Sequence, residues 1–191
     1  MNKILISIKP QWCEKIFNGS KSIEVRKTRP LIDMPFKVFV YETKAQFVKS
    51  IRGACTTFGY GRGKVIGSFV CDKVYKIVPD GEYYSNGYDI DDDMLSETCL
   101  GRGYLTGYGL GYTLYGWHIT EPKLFDKPKE LSEFFVPCKK YNDSELHCME
   151  WDCEHYSFFP IANGDAEEEC LCKGNKPLRR PPLSWCHVEG E

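Results

Sequence analysis

Residues 3–27, KILISIKPQWCEKIFNGSKSIEVRK, read as a strand, a short helix and a second strand, and this order constrains the fold more than any other segment. KILISI is an aliphatic run with β-branched Ile4, Ile6 and Ile8, of strand length and too short for a helix with its own core face. Pro10 suits the first turn of a helix, where its missing N–H leaves no bond unmade. Trp12, Ile16 and Phe17 recur at i, i+4, i+5 and give that helix one apolar face, and Gly19 stops it after about two turns. SIEVRK then alternates, with Ile23 and Val25 on one face and Ser22, Glu24 and Arg26 on the other. The strand is predicted to expose Lys21, Glu24 and Arg26 together, with Lys21 at its mouth.

At these residues the chain resembles the ASCH family of the PUA-like superfamily, which opens on an apolar strand, a Lys-Pro helix ending in Gly, and a Lys, Glu, Arg run on the next strand. KVFVYETK (37–44), GKVIGSFVCDKVYKI (63–77) and LYGWHITEPKLFDKPKELSEF (114–134) are similar to its later strands, so the resemblance spans roughly residues 3–135. It implies an α+β fold: a PUA-like mixed β-barrel with short flanking helices. The expected domain division is residues 1–135 for the barrel, with insertions near 51–62 and 79–112, and residues 136–191, outside the resemblance, for a Cys-rich extension packed on it. The resemblance also implies a cleft that binds RNA or a modified nucleoside. One branch hydrolyses N4-acetylcytidine with a Lys, a Thr and a Glu; Lys21 matches that Lys, while Glu24 stands at the Thr position. Lys21 and Glu24 are therefore the candidate catalytic pair of an amidohydrolase acting on N4-acylated cytidine, or of a nuclease-like hydrolase, as the alternative to binding alone.

Charge is distributed unevenly. The net charge is -2, yet residues 1–64 carry 13 Lys or Arg against 4 Asp or Glu, and the remainder balances to -11. A local basic surface attracts phosphate even on a mildly acidic protein. Lys9, Lys21, Arg26, Lys27 and Arg29 are the candidate nucleic-acid contacts, the alternative being a solvated face. Arg offers a fixed two-pronged donor, Glu accepts from an exocyclic amine and Lys supplies a mobile charge. An ordinary ion pair between Glu24 and Arg26 is the purely structural reading, worth about 0–1 kcal/mol if exposed.

The N-terminal apolar run is short and lacks a small-residue cleavage pattern, and no stretch reaches membrane-spanning length, so a soluble cytoplasmic protein without membrane contact is expected. Its 10 cysteines should then be reduced thiols or metal ligands. Six of them, with His147, His155 and His187, crowd the last 54 residues. Cys138, Cys148 and Cys153 with Cys172, or Cys170 in its place, form a candidate structural zinc set, which would crosslink a segment with little core of its own. No CxxC pair occurs, and free or buried thiols are the competing reading. Cys13, Cys55 and Cys71 sit in apolar or strand-like contexts and read as packing residues. The sequence names no oligomeric state.

Three other segments stand out. TFGYGRGK (57–64) is not a P-loop, because no Ser or Thr follows the Lys, and it reads as a glycine turn before a strand. Residues 79–112 begin with an acidic arm and end in GRGYLTGYGLGY, read as a distorted helix or loop. There Tyr104, Tyr108 and Tyr112 have helical spacing, suited to core packing or to a platform for stacked bases. The terminal PLRRPPLSWCHVEGE should lie as an extended strap anchored by Trp185. Trp117 and His118 should point to opposite faces of one strand.

Overall fold

The computed structural model describes residues 1–51, 54–81, 87–137, 141–142, 147–148, 156–160, 166–170 and 175–189, with side chains for 1–45, 60–81, 87–137 and 175–189. The chain runs β1 (Lys3–Ile8), α1 (Pro10–Phe17), β2 (Ile23–Arg26), β3 (Phe36–Glu42), β4 (Gln46–Ile51), β5 (Ala54–Tyr60), β6 (Lys64–Cys71) and β7 (Val74–Ile77). It continues through α2 (Asp92–Thr98), α3 (Arg102–Gly109), β8 (Leu114–His118), β9 (Thr120–Lys129) and β10 (Phe135–Pro137). Two small hairpins follow, β11 (Tyr141–Asn142) with β12 (His147–Cys148) and β13 (Tyr156–Pro160) with β14 (Ala166–Cys170); β15 (Asn175–Pro177) and β16 (Trp185–His187) close the chain.

Two sheets carry the fold. The larger has the order β16-β1-β3-β6-β9, with β1 and β3 parallel and the other pairs antiparallel. The smaller has the order β2-β8-β7, all antiparallel. The strand following β6 and the strand preceding β9 both belong to the second sheet, so this ribbon turns a corner, at Asp72-Lys73 on one side and Ile119 on the other. Of the mixed β-barrel expected, the structure shows a mixed, mostly β architecture: β1 gives its second edge to the C-terminal β16, and among the described strands the two main sheets do not close into a ring, the other strands pairing two by two as β4-β5, β10-β15, β11-β12 and β13-β14. The β1-β16 pairing makes the terminal strap a strand over Trp185–His187, in register Ile4↔His187 and Ile6↔Trp185.

Both faces of the large sheet are covered, which is why KILISI is almost uninterrupted in its apolarity. Ile4, Ile6, Ile8, Val38 and Val40 pack with Ile16 of α1, Phe69 and Trp117. Leu5, Phe39 and Tyr41 turn the other way, onto Phe134 and Val188. A third cluster joins Ile23 and Val25 of β2 to Leu105 of α3 and Leu114. The glycine at 19 takes φ +79 after α1, a conformation that costs other residues a steric clash, so the helix ends where the sequence places its stop. Residues 57–63 resolve into the end of β5 and a turn with Gly63 at φ +67, as the glycine pattern predicts. GRGYLTGYGLGY forms a regular helix over Arg102–Gly109, and Tyr112 lies beyond it, exposed.

Candidate functional site

The polar face of β2 is buried instead of exposed. Lys21, Glu24 and Arg26 retain 2%, 7% and 9% of their surface, because α1, α3 and the terminal strap close over them. Alternation set which side chains share the face; the covering elements set its environment.

Lys21 is held at the C-terminal end of α2. Asp91 starts that helix, its Oδ1 accepting from Met94 N at 2.7 Å, and Cys99 ends it in the left-handed conformation. The last carbonyls then need donors. Ser22 N donates to Glu97 O at 3.1 Å and Lys21 Nζ to Thr98 O at 2.5 Å. A cation at this end also meets the negative pole of the helix. Nζ lies 3.4 Å from Glu24 Oε2 and 5.4 Å from the centre of the Trp12 ring.

Arg26 completes the trio. Its Nη2 donates to Ser7 O at 2.6 Å, at the end of β1. Its Nε lies 3.2 Å from Glu24 Oε1, an ion-pair distance, but not in hydrogen-bonding geometry. Glu24 thus bridges two cations, and the trio carries one net positive charge. Trp12 of α1 meets Tyr104 of α3 edge-on at 6.1 Å, and Tyr104 stacks with Tyr108 at 6.3 Å and an interplanar angle of 23°. Burial raises the Tyr108 phenol above its ordinary value, partly offset by Arg26. The trio and these rings line a cleft of about 310 Å³, with Lys9 at one wall and Leu183 of the strap at another. That volume is at the lower end of the range for small-molecule sites.

The sequence-derived residues separate cleanly here. Lys9, Lys21, Glu24 and Arg26 converge on the cleft; Lys27 and Arg29 are exposed and do not line it, although Lys27 Nζ lies 5.1 Å from the centre of the Tyr108 ring. Ser7, Thr43, Thr98 and Leu183 belong to the site and carry no sequence signal: Ser7 and Thr98 contribute backbone carbonyls, Leu183 a position along the strap, and Thr43 a place on the wall. Tyr104 and Tyr108 had one in their i, i+4 spacing. His118 lies outside, its Nδ1 2.7 Å from Asp72 Oδ1, while Trp117 on the opposite face is fully buried. The side chains of Cys138, Cys148, Cys153 and Cys172 fall outside the described residues, as does Cys170. Among the described residues no three His, Cys, Asp or Glu side chains converge on a metal position. Also among them, no helix is long and apolar enough to cross a membrane.

No protein-family model and no curated sequence matches the chain. Among solved structures it is similar to the crystal structure of ASCH from Zymomonas mobilis, with 16% identity over 68% of this chain and 74% of that one and a TM-score of 0.47. A Tyr-to-Phe variant of the Zymomonas mobilis protein gives 16% identity, 69% and 77% coverage and 0.48. A Ser-to-Ala variant gives 16%, 68%, 75% and 0.48. These structures bear the family name that the motifs of residues 3–27 resemble.

Proposed function

We propose that the cleft binds RNA or a modified nucleoside. The observation that carries this reading is the combination of a net-positive buried trio with three aromatic rings, Trp12, Tyr104 and Tyr108, around a cavity of about 310 Å³. Rings stack on any base, Glu24 accepts from an exocyclic amine, and Lys9 at the wall and Lys27 beside the Tyr108 ring supply charge for a phosphate. The barrel-cleft expectation is thereby refined into a pocket between two sheets and two helices.

Tyr104 is 47% exposed, so Tyr104→Ala tests the site without removing a core residue. Its affinity for single-stranded RNA should fall by roughly ten-fold or more, as loss of one stacking platform costs about 1–3 kcal/mol. Lys9→Ala with Lys27→Ala should lower the slope of log affinity against log salt by about 0.7 for each phosphate no longer neutralised. Fluorescence titrations at several salt concentrations give both; unchanged affinity and slope in these variants would sink the reading.

The Lys21 and Glu24 pair, 3.4 Å apart inside the cleft, supports a second reading, hydrolysis of an N4-acylated cytidine. Lys21 is tied to Thr98 O and Glu24 to two cations, an arrangement that serves recognition before proton transfer. Release of cytidine from N4-acetylcytidine by the wild type, abolished in Glu24→Gln, would establish the enzyme; no release by folded protein leaves binding. We propose further that the terminal cysteines hold a structural zinc, for which metal analysis should return about one ion per chain.

A further inference from the structure

The cleft is not isolated. A second cavity, of about 780 Å³, lies between Tyr41 and Lys44 on one side and Leu178, Arg179 and Pro181 of the strap on the other. Thr43 lines both. The strap does too: Leu183 closes the first cavity and Pro177 to Pro181 wall the second. It is pinned along its length, by Leu178 N to Phe134 O at 2.8 Å, by Ser7 Oγ to Pro182 O at 2.6 Å and by Trp185 Nε1 to Thr28 Oγ1 at 3.0 Å.

The junction is built around Thr43. Its N–H donates to Ile8 O at 2.9 Å, and Gly61 passes so close that a Cβ there would collide with Thr43 O, so only glycine admits this approach. Its Oγ1, by contrast, is buried and has no hydrogen-bond partner among the described residues. A buried hydroxyl without a partner is a costly thing to keep between two cavities, and a ligand group crossing from one to the other would satisfy it. The second cavity is also basic on balance. Lys44 and Arg179 line it, and the carboxylate there, Glu130, is paired with Lys64 at 2.6 Å.

We propose that the two cavities form one groove for a single-stranded polynucleotide, a base entering the ring-walled cleft and the adjoining backbone passing Thr43 into the second cavity, against Lys44 and Arg179. This rests on the reading of the first cleft and names its substrate class: a strand of two or more nucleotides, not a free nucleoside. A strand presents what the second cavity supplies partners for, a repeated phosphate, and the Thr43 hydroxyl donates to the backbone between them. The C-terminal strap is then a wall of the nucleic-acid site.

The test compares random-sequence single-stranded RNA hexamers with the four ribonucleoside 5′-monophosphates on the full chain. Hexamers should bind at least ten-fold more tightly. Lys44→Ala with Arg179→Ala should abolish most of that advantage and lower the salt slope for hexamers by about 1.4, the share of two single-strand phosphates, while leaving monophosphate affinity unchanged. Thr43→Val, which keeps the shape and removes the hydroxyl, should weaken hexamers selectively. Monophosphates that bind as tightly as hexamers, or a double variant that weakens both equally or neither, would overturn the groove and leave the cleft reading intact. Absence of binding by both probes would overturn the two together. Single-stranded DNA hexamers matching RNA would keep the groove and show that it reads the backbone without the 2′-hydroxyl.

Discussion

Two groups of charges in this protein invert the usual reading of distance. Arg102 Nη2 and Asp92 Oδ1 approach to 2.6 Å, but their side chains are 54% and 89% exposed. The Lys21, Glu24 and Arg26 contacts are longer, 3.4 and 3.2 Å, with side chains 1%, 9% and 10% exposed. Water competes for the first pair and screens it. It is nearly absent from the second, where each charge depends on its partners and on carbonyls such as Thr98 O and Ser7 O. Burial, more than separation, sets what each contact contributes. It also explains the trio's double role, since groups that must be paired inside a cleft hold a fixed geometry for a ligand.

Removing Glu24 should break the comparison hardest. Glu24→Ala leaves two buried cations facing each other and should cost about 3–5 kcal/mol in urea denaturation. A loss below about 1 kcal/mol would mean that water solvates the cleft as it does the surface pair. Glu24→Gln, which keeps an acceptor, should cost less.

The buried thiols sharpen the same contrast through pH. Burial raises Cys71 from 9.0 to about 12 and pushes Cys13 up as well. Unfolded chains lose these protons above about pH 9 while the folded protein retains them. The protonated thiols therefore contribute their full stability below pH 9, and that contribution falls as pH rises toward 12. The decline is on the order of 1 kcal/mol per pH unit for each such thiol. Thermal melts from pH 8 to 11 should fall progressively, and Cys71→Ala, compared with its own value at pH 8, should fall less. Equal alkaline slopes would show that Cys71 reaches water.

The smallest effect belongs to the exposed pair. A double-mutant cycle on Asp92→Ala and Arg102→Ala should return a coupling of about 0–1 kcal/mol, smaller still at high salt. A coupling near that of the buried trio would overturn the distinction between the two regions.

The legibility of the chain follows the same division. β1, α1 and the β2 register were readable because local rules govern them: strand length, Pro at the helix start, Gly19 at its end, and alternation across SIEVRK. The grouping of Glu24 and Arg26 on one face followed from period alone. Their burial did not, because the elements that cover them come from residues 12, 104, 108 and 183, and no local pattern records which distant segment folds over a strand. For the same reason GRGYLTGYGLGY was readable only as a distorted helix or a loop, and packing of Leu105 into the second cluster settles it as a helix over Arg102–Gly109 despite its glycines.

The neighbours of each strand were not legible for a related reason. A strand's hydrophobic pattern records that it is buried and not which neighbour takes each edge, and β1 chose the C-terminal strand. By itself the sequence determined the strand-helix-strand start, the shared face of the charged residues, the basic N-terminal third and the strap character of the tail. Only the tertiary structure decided that the charged face lies inside, that Lys21 closes the end of α2, and that Thr43 and the strap join two cavities. Those outcomes depend on contacts between residues far apart in sequence, as between Ser7 and Pro182, 175 positions apart, and such contacts are settled by the competition of whole surfaces for burial.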